Sequence, residues 1–201
     1  MRFGKTLLAV VAAAAVLGAL VGSASANRLS TTSQTWRVTF ARLELRGAFA
    51  ELTCPITFEG SFHSATIAKS PTLVGYVARA VAGACSFGSA TLLTQTLPWH
   101  VRYGSFGGTL PSIGSLTLNL VGFAIRTREA SSATCLMLSM ATEPLRLRFT
   151  RETTTGALTE AEAEGVIPAE IQCLSMPVPL SGRSSSVSVQ GGTTRITVTL
   201  I

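Results

Sequence analysis

Between Cys54 and Cys85 the chain reads CPITFEGSFHSATIAKSPTLVGYVARAVAGAC, with apolar residues recurring at alternate positions on both sides of a Lys-Ser-Pro break. Alternation of this kind marks strands, whose successive side chains face opposite sides. Residues paired across an antiparallel hairpin lie equidistant from its turn, so a turn at Ala68-Lys69-Ser70-Pro71 sets Cys54 opposite Cys85. The same register pairs Ile56 with Gly83, Phe58 with Val81, Phe62 with Val77 and Thr66 with Leu73 on one largely apolar face. The other face pairs Thr57 with Ala82, Glu59 with Ala80, Ser61 with Ala78 and His63 with Tyr76, and is smaller and more polar. A slip of one residue exchanges the faces of one strand, so the pattern selects this register. Strands this long need a bend or bulge, for which Gly60 and Gly75 are the candidates. The competing element is a helix capped by Ser70 and running to Ala82, which Val74, Gly75, Val77 and Val81 disfavour.

The second cysteine pair repeats the arrangement. Cys135 and Cys173 are centred on Thr154, within RLRFTRETTTGALTEAEAEG, where Thr153-Thr154-Thr155-Gly156 reads as a short hairpin loop. That register faces Leu145 with Ala163, Leu147 with Ala161 and Phe149 with Thr159. On the reverse face Arg146 meets Glu162 and Arg148 meets Glu160, opposite charges falling opposite one another. Pro144 and Pro168 interrupt the arms, so a loop or a change of sheet can intervene before the cysteines. Two local disulfides are expected, Cys54–Cys85 and Cys135–Cys173.

Elsewhere, TWRVTFARLEL (35–45) alternates Trp36, Val38, Phe40 and then shifts phase to Leu43 and Leu45, as a strand with a bulge does. Residues 91–103 read as a strand broken or bent at Pro98, 104–114 as a connection, and 115–127 as a further strand. The C-terminal SVSVQGGTTRITVTLI reads as a hairpin turning at Gly191-Gly192, with Val187 opposing Ile196. Residues 129–143 carry no clear pattern, and Asn27–Gln34 is expected to be a loose polar arm. The predicted architecture is all-β, an antiparallel sandwich or closed barrel of about nine or ten strands stapled by two hairpin-bridging disulfides.

The N-terminus changes the picture of where this happens. Arg2 and Lys5 precede an apolar run from Thr6 to Val21, and Ala24-Ser25-Ala26 supplies the small residues of a cleavage site. Residues 1–26 are therefore expected to be a signal peptide and 27–201 one secreted, extracytoplasmic domain. The alternative, a retained anchor, has an apolar run short of the roughly 20 residues a span needs. Four cysteines without C-x-x-C spacing fit structural disulfides in an oxidising compartment.

Charge and chemistry narrow the function classes without choosing among them. The formal net charge is +6, but the basic residues are scattered, so no nucleic-acid partner is expected. All ten acidic residues are Glu, which removes Ser-His-Asp triads, aspartyl dyads and Asp-rich calcium loops. A metal site would need His63 and His100 together, with Glu59 as a third ligand. Ser61 or Ser64 with His63 and Glu59 is the one Ser-His-Glu set that can be drawn, but strand neighbours alternate faces and no G-x-S-x-G elbow is present. No catalytic residue, metal or cofactor is expected. The segment 98–106, PWHVRYGSF, suggests ligand contacts at Trp99, His100, Tyr103 and Phe106, because aromatics stack on sugars or fill protein pockets. Against this stands a core role for Trp99 and Tyr103.

The phrases TFEGSFHSATIAK, TLPWHVRYGSFGGTLPSI and TTRITVTLI resemble an uncharacterised group of small exported bacterial β-proteins. The resemblance implies a secreted all-β domain and carries over no activity or site residues. The sequence does not determine the protein's job. A secreted structural or ligand-binding β-domain with a cell-surface glycan or protein partner leads. A small outer-membrane barrel and a secreted hydrolase with an irregular site follow; stable membrane insertion is disfavoured by the proposed bridges, the internal prolines and the lack of aromatic girdles.

Overall fold

The computed structural model describes residues 28–46, 51–109, 112–129, 134–169 and 177–201. Among them are fourteen strands: β1 (Arg28–Thr31), β2 (Thr35–Arg46), β3 (Glu51–Phe62), β4 (Thr66–Ala68), β5 (Leu73–Ala82), β6 (Gly88–Leu92), β7 (Trp99–Thr109), β8 (Ser112–Val121), β9 (Ala124–Glu129), β10 (Thr134–Leu138), β11 (Leu145–Arg151), β12 (Leu158–Ile167), β13 (Val178–Ser188) and β14 (Val198–Leu200). Eight of them form a closed antiparallel barrel in the order β2-β3-β5-β7-β8-β11-β12-β13, with β13 returning to β2. Barrel neighbours follow one another along the chain, so the barrel is an up-and-down meander. The remaining six strands form two three-stranded sheets, β14-β1-β4 and β10-β9-β6.

Alternation decides what the barrel contains. Trp36, Val38, Phe40, Leu43 and Leu45 of β2 are buried, and the phase shift falls at the bulge between Phe40 and Leu43. Leu145, Leu147 and Phe149 face inward from β11, whereas Arg146 and Arg148 are exposed. At the centre Phe58 meets Phe40, Trp99 and Phe123 edge-on, with ring centroids 6.1, 6.2 and 5.8 Å away. Trp99 and Phe123 close the cluster at 5.3 Å. Edge-to-face pairs of this kind add about 0.5–1.5 kcal/mol each beyond the apolar area they bury.

The two small sheets cover the barrel ends. Leu29, Ile67 and Val198 of the β14-β1-β4 sheet are fully buried in the common core, and the Phe62 N–H donates to the Gln34 carbonyl at 2.7 Å. Arg151 ties this sheet to the barrel by donating to the carbonyls of Val198 and Ile113. At the other end Leu92, Ile125 and Met137 are buried. The chain leaves β8 for that sheet at Gly122, whose φ of 89° favours glycine. Ser139 fixes this corner: its hydroxyl donates to the Leu120 carbonyl and accepts from the Phe123 N–H, both at 3.0 Å.

Several sequence-based expectations need correction. The first hairpin is bridged by Cys54–Cys85 as expected, and Thr53 pairs with Ser86 beside it. Below that point the register drifts, Ile56 meeting Ala82 rather than Gly83 and Phe62 meeting Gly75 rather than Val77. One drift is a bulge between Glu59 and Gly60, which leaves Ala78 unmatched and turns Val81 outward, 47% exposed, while Ala80 is buried. Gly60 is the right residue there, because a Cβ would collide with the Trp36 ring and the Tyr76 carbonyl. The chain does not turn tightly at 68–71; it detours through β4, which pairs with β1. No helix forms over 70–82.

The second hairpin keeps its faces but shifts by two residues, so Arg146 meets Glu164 and Arg148 meets Glu162. Cys135 lies in β10, in a different sheet from β11. It is disulfide-bonded, and the expected partner Cys173 lies outside the described residues. Within the expected connection 104–114, residues 104–109 belong to β7 and 112–114 to β8, and 115–127 is two strands divided at Gly122. The Asn27–Gln34 arm contains β1. The Gly191-Gly192 turn is present, with the Val189 N–H donating to the Thr194 carbonyl at 2.8 Å. Beyond it the hairpin does not form: Val187 pairs with Val38, and β14 pairs with β1.

The Cys54–Cys85 bridge closes a span of 31 residues across β3 and the end of the β5 arm. Substituting both cysteines by Ala is expected to lower the unfolding free energy in urea by about 3–4 kcal/mol, on the loop-entropy scale. A loss under about 1 kcal/mol would show that the barrel holds this end without it.

Candidate functional site

Strand alternation separates the aromatic segment proposed from the sequence. Trp99 and Tyr103 point into the barrel and His100 points out. Trp99 is 1% exposed, and its indole N–H donates to the Thr96 hydroxyl at 2.7 Å. Tyr103 is buried, and burial pushes its phenol pKa up, so it remains protonated through the neutral range. Phe106 is half-buried beneath the Lys69 ammonium, 5.0 Å from its ring centroid. The four residues therefore do not line one cleft.

The Ser-His-Glu set is also taken apart. Glu59 is buried on the outer wall, where Arg79 holds it at 3.2 Å, Arg37 at 3.5 Å and the Gln190 amide at 3.3 Å. Its carboxylate is fully occupied as a clasp between β2, β3, β5 and the loop after β13. His63 is exposed and leans on Tyr76, with ring centroids 5.8 Å apart. Among the described residues no group of three or more His, Cys, Asp or Glu side chains is placed to hold a metal ion.

What sequence reasoning missed is assembled from separate strands of the outer wall. The register sets Arg102 beside Asn119, Asn119 beside Arg146, and Arg146 beside Glu164. One row on, Ser105 lies beside Thr117, Thr117 beside Arg148, and Arg148 beside Glu162. Gly104 has no side chain to fill the wall at the bulge between Tyr103 and Ser105, and a groove of about 390 Å³ opens over these rows. Arg183 binds Glu160 at 3.1 Å and Glu162 at 2.9 Å. Arg146 and Arg148 have no ion-pair partner among the described residues. Two positions before Arg102 on β7, outside the groove's lining, His100 pairs with Tyr76, which is 37% exposed. His100 and Tyr76 thus share the outer wall with a groove of guanidinium, amide, hydroxyl and carboxylate groups. Such a surface can bind a polyhydroxylated ligand through donors and acceptors and stack on its apolar faces.

The barrel wall has the polarity of a water-facing surface, with Arg, Glu, Asn and Thr outside and Leu, Phe and Trp inside. A lipid-facing barrel reverses that order. Structural disulfides such as Cys54–Cys85 belong to oxidising, extracytoplasmic compartments. No protein family, curated protein or solved structure matches this chain.

The division of the aromatic segment has a direct consequence. Trp99→Ala is expected to destabilise the fold by about 3–5 kcal/mol, whereas His100→Ala stays within about 0.5 kcal/mol of wild type. Chemical denaturation of both variants checks this; equal losses would contradict the assignment of inner and outer faces.

Proposed function

We propose that the protein is an exported binding module that holds an acidic glycan on its outer wall. The carrying observation is the groove over β7, β8, β11 and β12, where Arg146 and Arg148 lack ion-pair partners among the described residues within a field of hydrogen-bonding side chains. A carboxylate on the ligand pairs with a guanidinium in bidentate fashion. Sugar hydroxyls use Asn119, Thr117, Ser105 and the two glutamates, and Tyr76 and His100 offer a stacking edge. Without Arg2 and Lys5 of the leader, the exported part keeps 14 basic against 10 acidic residues, and this net charge of +4 favours approach by a polyanion. Export by the N-terminal leader accords with the Cys54–Cys85 bridge. An outer-membrane barrel is disfavoured by the polar outer wall. A hydrolase is disfavoured because Glu59, the acid available to His63, is already committed to Arg37, Arg79 and Gln190.

Affinity electrophoresis tests the reading with polygalacturonate, a neutral dextran and a sulfated dextran in parallel gels. The wild-type protein is expected to be retarded by polygalacturonate and not by neutral dextran. Arg146→Gln/Arg148→Gln should lose that retardation while keeping its thermal midpoint, since both side chains are exposed. Absence of retardation by polygalacturonate would overturn the proposal. Equal retardation by sulfated dextran would reduce the site to a charge effect without sugar recognition.

A further inference from the structure

Phe87 is held where neither its backbone nor its side chain gains from the folded monomer. Its φ is 60°, in the left-handed region that non-glycine residues seldom occupy, and its side chain is 78% exposed. Both flanks are fixed. Cys85 is tied to Cys54. Ser86 donates its N–H to the Thr53 carbonyl at 2.9 Å and accepts from the Thr53 N–H on its hydroxyl at 3.2 Å. Gly88 opens β6 and pairs with Glu129. The ring thus projects from a fixed backbone, as interface anchors do.

Beside it lies a second groove of about 540 Å³, lined by Ala41, Arg42, Pro55 and Ala84 together with Glu51 and Phe87 itself. Val81, exposed by the bulge in β5, extends the apolar rim. The groove carries one cation and one anion. Arg42 has no ion-pair partner among the described residues, and Glu51 makes only an exposed 3.7 Å contact with Arg46. With a cation, an anion and an apolar projection on one surface, a second copy turned about a two-fold axis would offer its Glu51 to Arg42 and its Phe87 to the groove. An isologous interface needs this self-complementarity of shape and charge.

We propose that the partner of the Phe87 surface is a second copy of this chain, forming a two-fold symmetric dimer through Phe87, Arg42 and Glu51. Sedimentation velocity of the oxidised protein over a concentration series tests it. A monomer–dimer equilibrium is expected. Phe87→Gly suits the positive φ and should keep the monomer's thermal midpoint while weakening dimerisation at least about a hundredfold. Arg42→Glu and Glu51→Arg should each weaken it about tenfold, and the double variant should restore it. A wild-type protein that stays monomeric throughout overturns the proposal and leaves the surface to a different protein partner. A dimer indifferent to Phe87→Gly, or not rescued by the charge exchange, overturns it equally.

Discussion

A sheet that meanders through eight strands has two edges, and each edge carries a row of unpaired backbone donors and acceptors. This chain removes both by pairing β13 with β2 from Leu180–Leu45 to Ser188–Arg37. Closure fixes the other features. Once the wall is continuous, each barrel strand must send alternate residues inward, and the inward set has to fill a space of limited width. Phe40, Phe58, Trp99 and Phe123 fill it with edge-on rings, and Leu116, Leu118, Leu145 and Leu147 pack around them. Two bulges in the β13–β2 seam, at Arg183–Ser184 and Ser184–Ser186, supply the bending that closure requires.

A filled barrel leaves its function to the outside. The interior residues are committed to packing, and the two end sheets cover both mouths with Leu29, Ile67, Val198, Leu92, Ile125 and Met137. On the proposed reading, recognition chemistry belongs on the wall or on the corners. The wall bears the Arg146–Arg148 groove, built on rigid strands whose register spaces donors and acceptors. The corner beside the Cys54–Cys85 bridge bears Phe87. The two surfaces use different chemistry, one polar and one apolar with a single charge pair, so they suit different partners.

Much of this was legible in the sequence, because alternation reports faces reliably. Trp36, Val38, Phe40, Leu43 and Leu45, with their phase shift, were readable from the text alone, as was the Cys54–Cys85 pairing. Register was less legible. Arg146 and Arg148 opposite Glu160, Glu162 and Glu164 look the same after a slip of two residues, so charge could not choose between Glu162 and Glu164 for Arg146. The unmatched Ala78 left no mark in a run of small residues. The partner of the C-terminal strand was not legible at all: Gly191-Gly192 dictates a local turn, but whether the chain then pairs with β13 or travels to β1 is set by burial of Ile196 and Val198 against the end of the barrel. The outer groove was hidden for a related reason. Its residues come from four strands and meet only through registers that no local pattern specifies. The aromatic segment misled because Trp99 and His100 are adjacent in the chain and therefore opposite in the wall.

The closed wall is most directly tested by residue-resolved amide hydrogen exchange in β2 and β13. Strands bonded on both sides protect consecutive amides, so slow exchange is expected at successive positions from Val38 to Leu45 and from Leu180 to Arg183, except at the bulges. Rapid exchange at every second amide of either strand would reveal a free edge, and the barrel would then be an open sheet.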